Sequence, residues 1–172
     1  KKNLRIIDAS KLNNNNLNSV STLFNNFLIQ TNDTLSFSKS NFKIVSKNKP
    51  DTKTLKNLIF AFNICRFTKS NAIVISNKES TIGIGSGQPS RIDSCEIAIS
   101  KMKRFYKEKL DDKIIAASDA FFPFVDGIEK LVQAGVSAII QPSGSIRDKH
   151  IIKYANKTNT ILVFSKTRHF RH

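Results

Sequence analysis

Apolar residues of this chain occur in two patterns: short continuous runs, typical of buried strands, and positions three or four residues apart, typical of helices. From residue 50 onward the two patterns alternate. Leu55, Leu58 and Phe62 recur at helical intervals after Asp51-Thr52, either of which can cap a helix. The further predicted elements are a hairpin of strands over 72–76 and 81–84, a helix over 91–110, a strand over 114–118, a helix over 126–134 closed by Gly135, a strand over 136–141, a helix over 148–157 and a strand over 160–164. This alternation predicts an α/β fold with helices covering a partly parallel sheet. Ligands of such sheets lie at the carboxyl ends of strands.

The first fifty residues have a weaker pattern. Apolar residues predict a strand over 1–8 and short strands over 24–30 and 42–46. The Asn-rich stretch between the first two strands is predicted to be a loop. The sequence shows neither an internal repeat nor a long linker.

Composition narrows the class of protein. No run of about twenty apolar residues is present, so no transmembrane helix is expected, and the start does not resemble a signal peptide. The net charge of +15 comes with lysines scattered among asparagines. We interpret it as compositional bias of a solvated surface, in preference to a face that binds nucleic acid or a membrane. Cys65 and Cys95 form no CxxC pair, which indicates buried or half-buried thiols in a reducing compartment and no metal site.

Two candidate segments flank the predicted hairpin. Lys69-Ser70-Asn71 precedes its first strand, and Asn71 either recognises a carboxamide or ring edge or caps the strand entry. The run 82–91, Ile-Gly-Ile-Gly-Ser-Gly-Gln-Pro-Ser-Arg, leads into the long helix and places Arg91 in its first turn. Its glycines permit close approach of a ligand, and a helix N-terminus beside a guanidinium suits an anion. The spacing is neither that of a Rossmann fingerprint nor that of a P-loop.

Three more segments follow predicted strands. The run 118–127, Ser-Asp-Ala-Phe-Phe-Pro-Phe-Val-Asp-Gly, forms either an aromatic wall for a flat heterocycle or a small core beneath a loop. Its Asp126 either caps the next helix or accepts a hydrogen bond from a pterin-like ring. The run 142–148, Pro-Ser-Gly-Ser-Ile-Arg-Asp, exposes N–H groups at a helix start or serves as a capping turn. The tail 166–172 is basic and is by default disordered, as termini are.

Together these segments resemble the AICAR transformylase/IMP cyclohydrolase family, in the same order and at matching spacings. The segments that carry the resemblance are 69–74, 82–91, 118–124, 142–148 and 168–172. The resemblance implies that residues 1–172 are the C-terminal portion of the transformylase domain. Within it, 1–49 would be a divergent Asn-rich connecting part and 50–172 a cytidine-deaminase-like layered α/β subdomain, with a mixed sheet flanked by helices.

The resemblance also implies an activity and its residues. The family transfers a formyl group from 10-formyltetrahydrofolate to AICAR on the way to IMP, works as an intertwined homodimer in the cytoplasm without catalytic zinc, and is associated with a bound potassium ion. The AICAR-binding residues carried over by matching motif are Asn71, Arg91, Phe121 and Arg168, with Phe170 packing nearby. The folate-binding residues are Ile92, Pro123, Phe124, Asp126, Ser145 and Ile146. Asn71 and Asp126 are the expected catalytic residues.

The sequence departs from the family's pattern at the catalytic motif. No Lys-His followed by Asn-Pro occurs, and Lys149-His150 lies within a predicted helix. Val125 stands where an Arg is common, and the cyclohydrolase domain is absent. We therefore expect a transformylase fragment, or a subunit of a split enzyme, that needs the missing N-terminal half for activity. The alternatives are a non-catalytic nucleotide- or folate-binding remnant and a basic nucleic-acid-binding domain.

Overall fold

The protein forms two compact units, Lys1–Leu35 and Ser36–His172. A computed structural model describes residues 5–8, 10, 18–34, 41–106 and 113–172. Among these residues, no helix combines the length and the apolar character that crossing a bilayer requires.

The smaller unit contains a hairpin of two antiparallel strands, β1 (Asn18–Leu23) and β2 (Asn26–Thr31). Val20 lies opposite Ile29 in this pairing, and β-branched pairs of this kind favour extended backbone. The strand predicted over 24–30 is therefore close to β2, but the loop predicted before it was wrong where β1 forms. The strand predicted over 1–8 was also wrong for residues 5–8, which are not extended into a sheet, while residues 1–4 lie outside the described part.

The larger unit is built on a mixed sheet. Its described strands are β3 (Phe42–Ile44), β4 (Ile73–Asn77), β5 (Ser80–Gly85), β6 (Ile114–Ser118), β7 (Val136–Pro142) and β8 (Ile161–Ser165). Their order across the sheet is β3-β8-β7-β6-β4-β5. Strands β6, β7 and β8 are parallel to one another, whereas β3, β4 and β5 run antiparallel to their neighbours.

Helices cover both faces of this sheet. They are α1 (Thr52–Phe67), α2 (Arg91–Phe105), α3 (Asp126–Gln133) and α4 (Asp148–Lys157). Helix α1 packs on one face, with Leu58 and Phe62 fully buried, and α2, α3 and α4 pack on the other. Side chains of each strand alternate between the two faces, and because both faces are covered, the central strands are almost continuously apolar. The predicted layered α/β fold with a mixed sheet is confirmed.

The direction of the strands collects several loops at one edge of the sheet. Ile73 at the start of β4 lies opposite Ser118 at the end of β6, because these two strands are antiparallel. Strands β7 and β8 run parallel to β6, so they end at this edge as well. The loops that contain the predicted site residues therefore begin or end at the same edge.

The elements predicted after residue 50 are confirmed, with small shifts at their ends. Helix α2 ends at Phe105, and residues 107–110 of the predicted helix lie outside the described part. Phe105, in the last turn of α2, is exposed, and the buried positions of this helix include small side chains such as Ala98. The predicted division at residue 50 stays a prediction, although β3 pairs with β8 in the larger unit.

Candidate functional site

The guanidinium of Arg91 joins three segments at the edge of the sheet where β6 ends. Its Nη2 donates to Oδ1 of Asn71 at 3.0 Å and to Oδ1 of Asp119 at 2.8 Å. Its Nη1 donates to the carbonyl oxygen of Phe121 at 3.1 Å. Ser90 caps α2 by accepting from the Asp93 N–H, so α2 begins at Arg91, near the start of β4 and the end of β6.

Asn71 uses both ends of its side-chain amide within the protein. Its Oδ1 accepts from Arg91, and its Nδ2 donates to the carbonyls of Gln88 and Pro89 at 2.9 and 3.2 Å. Its own backbone N–H donates to the Gln88 carbonyl as well. The amide therefore has a defined orientation, and Oδ1 keeps one lone pair beyond the bond to Arg91.

The C-terminal tail is held against this edge, so the predicted disorder of the tail was wrong. Ser70 and Arg171 exchange hydrogen bonds, with the Ser70 N–H donating to the Arg171 carbonyl at 2.9 Å and the Arg171 N–H donating to Ser70 Oγ at 3.1 Å. His169 is buried, and its ring packs on that of Phe62. These contacts fix the tail because they use its backbone and not only its basic side chains.

Arg168 and the aromatic rings around it come together at the surface. The Arg168 guanidinium lies over the half-buried ring of Phe121, with 5.2 Å from Cζ to the ring centroid, and 5.8 Å from the ring of Phe170. A guanidinium over an aromatic face is an electrostatically favourable pair. The AICAR-binding residues predicted from the sequence, Asn71, Arg91, Phe121 and Arg168, are thus linked by direct contacts.

Sequence reasoning did not single out Asp119, which is fully buried beside Arg91. The ion pair between Asp119 and Arg91 is shielded from water, since their side chains are 0% and 9% exposed. Burial raises the pKa of the nearby Cys65 thiol well above its usual value, and the Asp119 carboxylate raises it further. The sequence offered only an indirect signal for Asp119, namely its position directly after an apolar strand.

The predicted folate-binding residues Phe124, Ser145 and Ile146 lie on two loops that meet through Arg147. The Arg147 guanidinium lies 4.7 Å from the centroid of the Phe124 ring. The Arg147 N–H donates to Ser145 Oγ at 3.1 Å. Phe124 and Ile146 are both exposed, so the two loops present apolar side chains to solvent next to a cation. Arg147 was also missed as a candidate residue.

The carboxylate of Asp148 shapes the second of these loops. It accepts from the Gly144 N–H at 2.9 Å and from the Ser145 N–H at 3.3 Å. The run 142–148 therefore does form a turn stabilised by a side chain at the start of α4, which is close to the capping turn that the sequence left open as an alternative. The turn also fixes the position of Ser145 and Ile146.

Three other predicted residues are placed apart from Arg91. Asp126 is exposed at the start of α3, where its Oδ1 accepts from the Gly127 N–H at 2.7 Å. Pro123 is exposed and Ile92 is half-buried in the first turn of α2. Among the described residues, no hydrogen bond or ion pair joins Asp126 to the Arg91 and Arg168 group. Phe122, in contrast, is buried and belongs to the core beneath the loop.

The glycines of the run 82–91 serve helix packing more than ligand approach. A Cβ on Gly85 would come within 2.7 Å of the carbonyl carbon of Ser94, and one on Gly83 within 3.1 Å of that of Ala98. Both glycines therefore let α2 lie against β5. The expectation that these glycines open the backbone to a ligand was wrong for Gly83 and Gly85, while Gly87 has open space and a φ of 67°.

The arrangement suits an anionic, flat ligand. It offers the exposed guanidinium of Arg168, the oriented amide of Asn71 and aromatic rings at one sheet edge, which are groups that bind anions and stack on planar rings. Within the described residues, no cluster of three or more His, Cys, Asp or Glu side chains is placed to hold a metal ion.

Comparison with known proteins gives one family and its relatives. A family model described as AICARFT/IMPCHase bienzyme matches residues 1–101. The bifunctional purine biosynthesis protein PurH of Lactobacillus delbrueckii subsp. bulgaricus is 44% identical over 174 residues, which cover 100% of this chain and 33% of the relative. PurH of Buchnera aphidicola subsp. Acyrthosiphon pisum is 43% identical over 173 residues, with the same coverage. The protein thus spans about a third of the length of the curated relatives that it matches.

Among solved structures, the apo crystal structure of dCMP deaminase from the cyanophage S-TIM5 is similar to part of the chain. The two are 15% identical with a TM-score of 0.42, and the match covers 67% of this chain and 98% of the deaminase. A likeness at this level carries no argument about ligand or activity.

Proposed function

The chain belongs to the AICARFT/IMPCHase bienzyme family, and on this premise we propose that it forms part of a site where 10-formyltetrahydrofolate gives its formyl group to AICAR. In this proposal the Asn71, Arg91, Phe121 and Arg168 group binds AICAR, and the two loops with Phe124 and Ile146 bind the folate. The relatives' names place them in purine biosynthesis, and in our proposal the product continues to IMP.

One observation carries the AICAR part of the proposal. Arg168 is exposed and stacks on Phe121, while Phe121 is tied through its carbonyl to Arg91. AICAR is a flat heterocycle that carries a phosphate, so it needs a planar surface and a cation close together. A guanidinium can bind a phosphate through two parallel hydrogen bonds, which fixes orientation as well as charge.

The chemistry requires chiefly that the two substrates be held in place. The amine of AICAR is a poor nucleophile, so holding it against the formyl carbon and stabilising the oxyanion account for most of the rate gain. In our proposal Asn71 contributes the remaining lone pair of Oδ1 to orient the carboxamide or amine of AICAR. Asp126 is exposed and contributes a carboxylate that accepts a hydrogen bond from the pterin.

In our proposal the general base comes from a Lys-His motif followed by Asn-Pro, which does not occur in this sequence. Lys149-His150 does not match this motif, and both residues are exposed within α4. We therefore propose that catalysis needs a further polypeptide segment with that motif, from a longer form of the protein, a separate subunit or the second protomer of a homodimer.

An observation at Asp119 bears on the potassium ion. Its Oδ2 is buried and accepts no hydrogen bond from any residue that the structure describes. Hard cations take several oxygen ligands, and in our proposal this oxygen is one of them, on the side of the carboxylate that Arg91 does not contact. If the ion is bound there, we expect a higher melting temperature in potassium chloride than in sodium chloride at the same concentration. Equal melting temperatures in the two salts would count against it.

The proposed function is tested by reconstitution. The protein is produced together with the family segment that bears the Lys-His motif, and formyl transfer from 10-formyltetrahydrofolate to AICAR is followed by absorbance. We expect turnover for the pair and none for either part alone. The matched control carries Arg168→Gln in this chain, which should lower turnover of the pair. A folded pair with no rate above background would overturn the proposal.

The second candidate is a non-catalytic module that binds the nucleotide or the folate. The absence of the Lys-His motif from this sequence favours it over an independent enzyme. Calorimetry and the turnover assay together separate the two candidates. A non-catalytic module binds AICAR or folate in the calorimeter but gives no turnover in the reconstituted pair. Tight RNA binding that persists in high salt would favour the nucleic-acid alternative instead, since compositional charge is screened.

A further inference from the structure

Asp119 contacts every segment that carries a predicted AICAR-binding residue. Its N–H donates to the carbonyl of Ala72, next to Asn71, at 3.2 Å. Its carbonyl accepts from the N–H of His169, next to Arg168, at 2.9 Å. Its carboxylate binds Arg91 at 2.8 Å, and Phe121 follows it by two residues. Asp119 is therefore the common point of the four segments.

The carboxylate of Asp119 controls the guanidinium of Arg91. A buried carboxylate is costly unless a cation and hydrogen bonds compensate it, so Asp119 requires Arg91 in this position. The guanidinium is planar, and once one N–H is directed at Asp119, the directions of the others follow. These other N–H groups determine which way the Asn71 amide faces and fix the carbonyl of Phe121.

The ion pair between Asp119 and Arg91 leaves two polar atoms without a hydrogen bond in the described part of the protein. Oδ2 of Asp119 and Nε of Arg91 are both buried without a hydrogen-bond partner among the described residues. An unsatisfied buried polar atom destabilises a fold, and an apolar pair of similar size would serve stability at least as well. A buried group left in this state in a native protein calls for an explanation, such as a role in a site or a bound ion.

We propose that Asp119 is a positioning residue for the nucleotide, acting through Arg91. Its carboxylate holds the guanidinium so that Asn71 and Phe121 are oriented before the nucleotide binds. The inference rests on the proposed function for the identity of the ligand, but not for the network itself. It implies that loss of the carboxylate weakens binding of AICAR much more than binding of the folate.

The test compares two variants of the reconstituted pair at one fixed potassium concentration. Asp119→Asn keeps the size of the side chain but removes its charge, and Asp119→Asn with Arg91→Gln removes both charges. For Asp119→Asn we expect the KM for AICAR to rise roughly tenfold to hundredfold, as for loss of a hydrogen bond to a charged group. The KM of Asp119→Asn for the folate should stay within about twofold of the wild-type value. Calorimetry with AICAR gives the same comparison without turnover.

The double variant separates positioning from folding. It buries no lone charge, so we expect its melting temperature to recover relative to Asp119→Asn while its affinity for AICAR stays low. Glu96 lies on α2, as Arg91 does, and forms an exposed ion pair with Lys130 of α3; Glu96→Gln removes this carboxylate and should change neither KM. The inference is overturned if Asp119→Asn binds AICAR as wild type does, if both substrates weaken equally, or if the double variant regains affinity. Absence of turnover in the wild-type pair would instead count against the proposed function, because calorimetry still tests the positioning role.

Discussion

The guanidinium of Arg168 lies over the ring of Phe121, with 5.2 Å between Cζ and the ring centroid. The two residues are far apart in the sequence and meet because the polypeptide runs on past β8 along the edge where β6 ends. The His169 N–H donates to the Asp119 carbonyl and so holds the tail in this position. An exposed cation is thereby fixed above an aromatic ring, where a planar anion can contact both.

Replacing Arg168 tests whether this pair binds the nucleotide. We expect Arg168→Gln to weaken AICAR binding roughly tenfold to hundredfold, because a hydrogen bond to a charged group contributes about 1.5–3 kcal/mol. Arg168→Lys should have a smaller effect, since Lys keeps the charge but not the planar stacking. Calorimetry with AICAR measures both.

A second pair in the same protein provides the control for Arg168. Arg104 lies at the same distance, 5.2 Å, from the ring centroid of Phe105, at the end of α2 opposite Arg91. Arg104→Gln removes the same charge and should leave the affinity for AICAR unchanged. If Arg104→Gln weakens binding as much as Arg168→Gln does, net charge and not the Arg168 site attracts the nucleotide.

The loops around Phe124 and Arg147 give a prediction for the other substrate. Stacking of a flat ring on an aromatic side chain is worth about 1–3 kcal/mol where nucleic-acid bases bind proteins. We expect Phe124→Ala to raise the KM for 10-formyltetrahydrofolate roughly tenfold on that basis, with the KM for AICAR little changed. Steady-state kinetics of the reconstituted pair measures both constants. Phe105→Ala, which removes another exposed aromatic ring, is the control and should alter neither KM.

The fold after residue 50 could be predicted because its strands are short apolar runs bounded by turn residues. The run at 72–76 and the one at Ile114–Ser118 lie between covered faces, so local composition alone identifies them. The hairpin strand β1 was missed because its residues, Asn-Ser-Val-Ser-Thr-Leu, are mostly polar and stay exposed. Its pairing with β2 is a contact between segments, which a local pattern does not contain.

The site could be predicted only in part, for the same reason. Asn71, Arg91 and Phe121 lie where strands meet loops and helices, which indicated that they come together, and hydrogen bonds from Arg91 join them. The role of Asp119 could not be read from the sequence, because its partner Arg91 is 28 residues away and its burial depends on the whole sheet edge. The order of the tail depends likewise on contacts with Ser70 and Asp119.

Gly85 gives a prediction about stability. A Cβ at this position would come within 2.7 Å of the carbonyl carbon and 2.8 Å of the Cα atom of Ser94, and backbone atoms do not move aside as the end of a flexible side chain does. We expect Gly85→Ala to destabilise the fold by about 1–3 kcal/mol, the usual cost of overpacking. Chemical denaturation measures the change. Gly87→Asn is the control, since Gly87 has open space and a positive φ that Asn tolerates, and equal loss in both variants would contradict the packing argument.

The two cysteines give a prediction about reactivity. Burial raises the pKa of Cys95 to about 12 and that of Cys65 well above its usual value, so both thiols are protonated at neutral pH. Because the thiolate is the reactive form, we expect neither to react with Ellman's reagent in the native protein and both to react after denaturation. Rapid labelling of the native protein would contradict the burial of these side chains.

Asp51 gives a prediction about pH. Its carboxylate accepts from the Thr54 N–H at 2.7 Å as the cap of α1, and this hydrogen bond lowers the pKa of Asp51 to about 2, with Lys113 adding to the effect. The pKa in the folded protein is thus below that of the unfolded state, about 3.9. The cap therefore stabilises the fold fully above pH about 4 and loses this contribution as the pH falls toward 2.

The matched variant for Asp51 is Asp51→Asn, because Asn also caps helices but does not titrate. We expect the melting temperature of wild type to fall more steeply than that of Asp51→Asn between about pH 4 and pH 2, where only the wild-type cap gains a proton. Thermal unfolding followed by circular dichroism at several pH values gives both curves. Parallel curves would mean that the protonation of other carboxyl groups dominates in acid and that the cap of α1 contributes little.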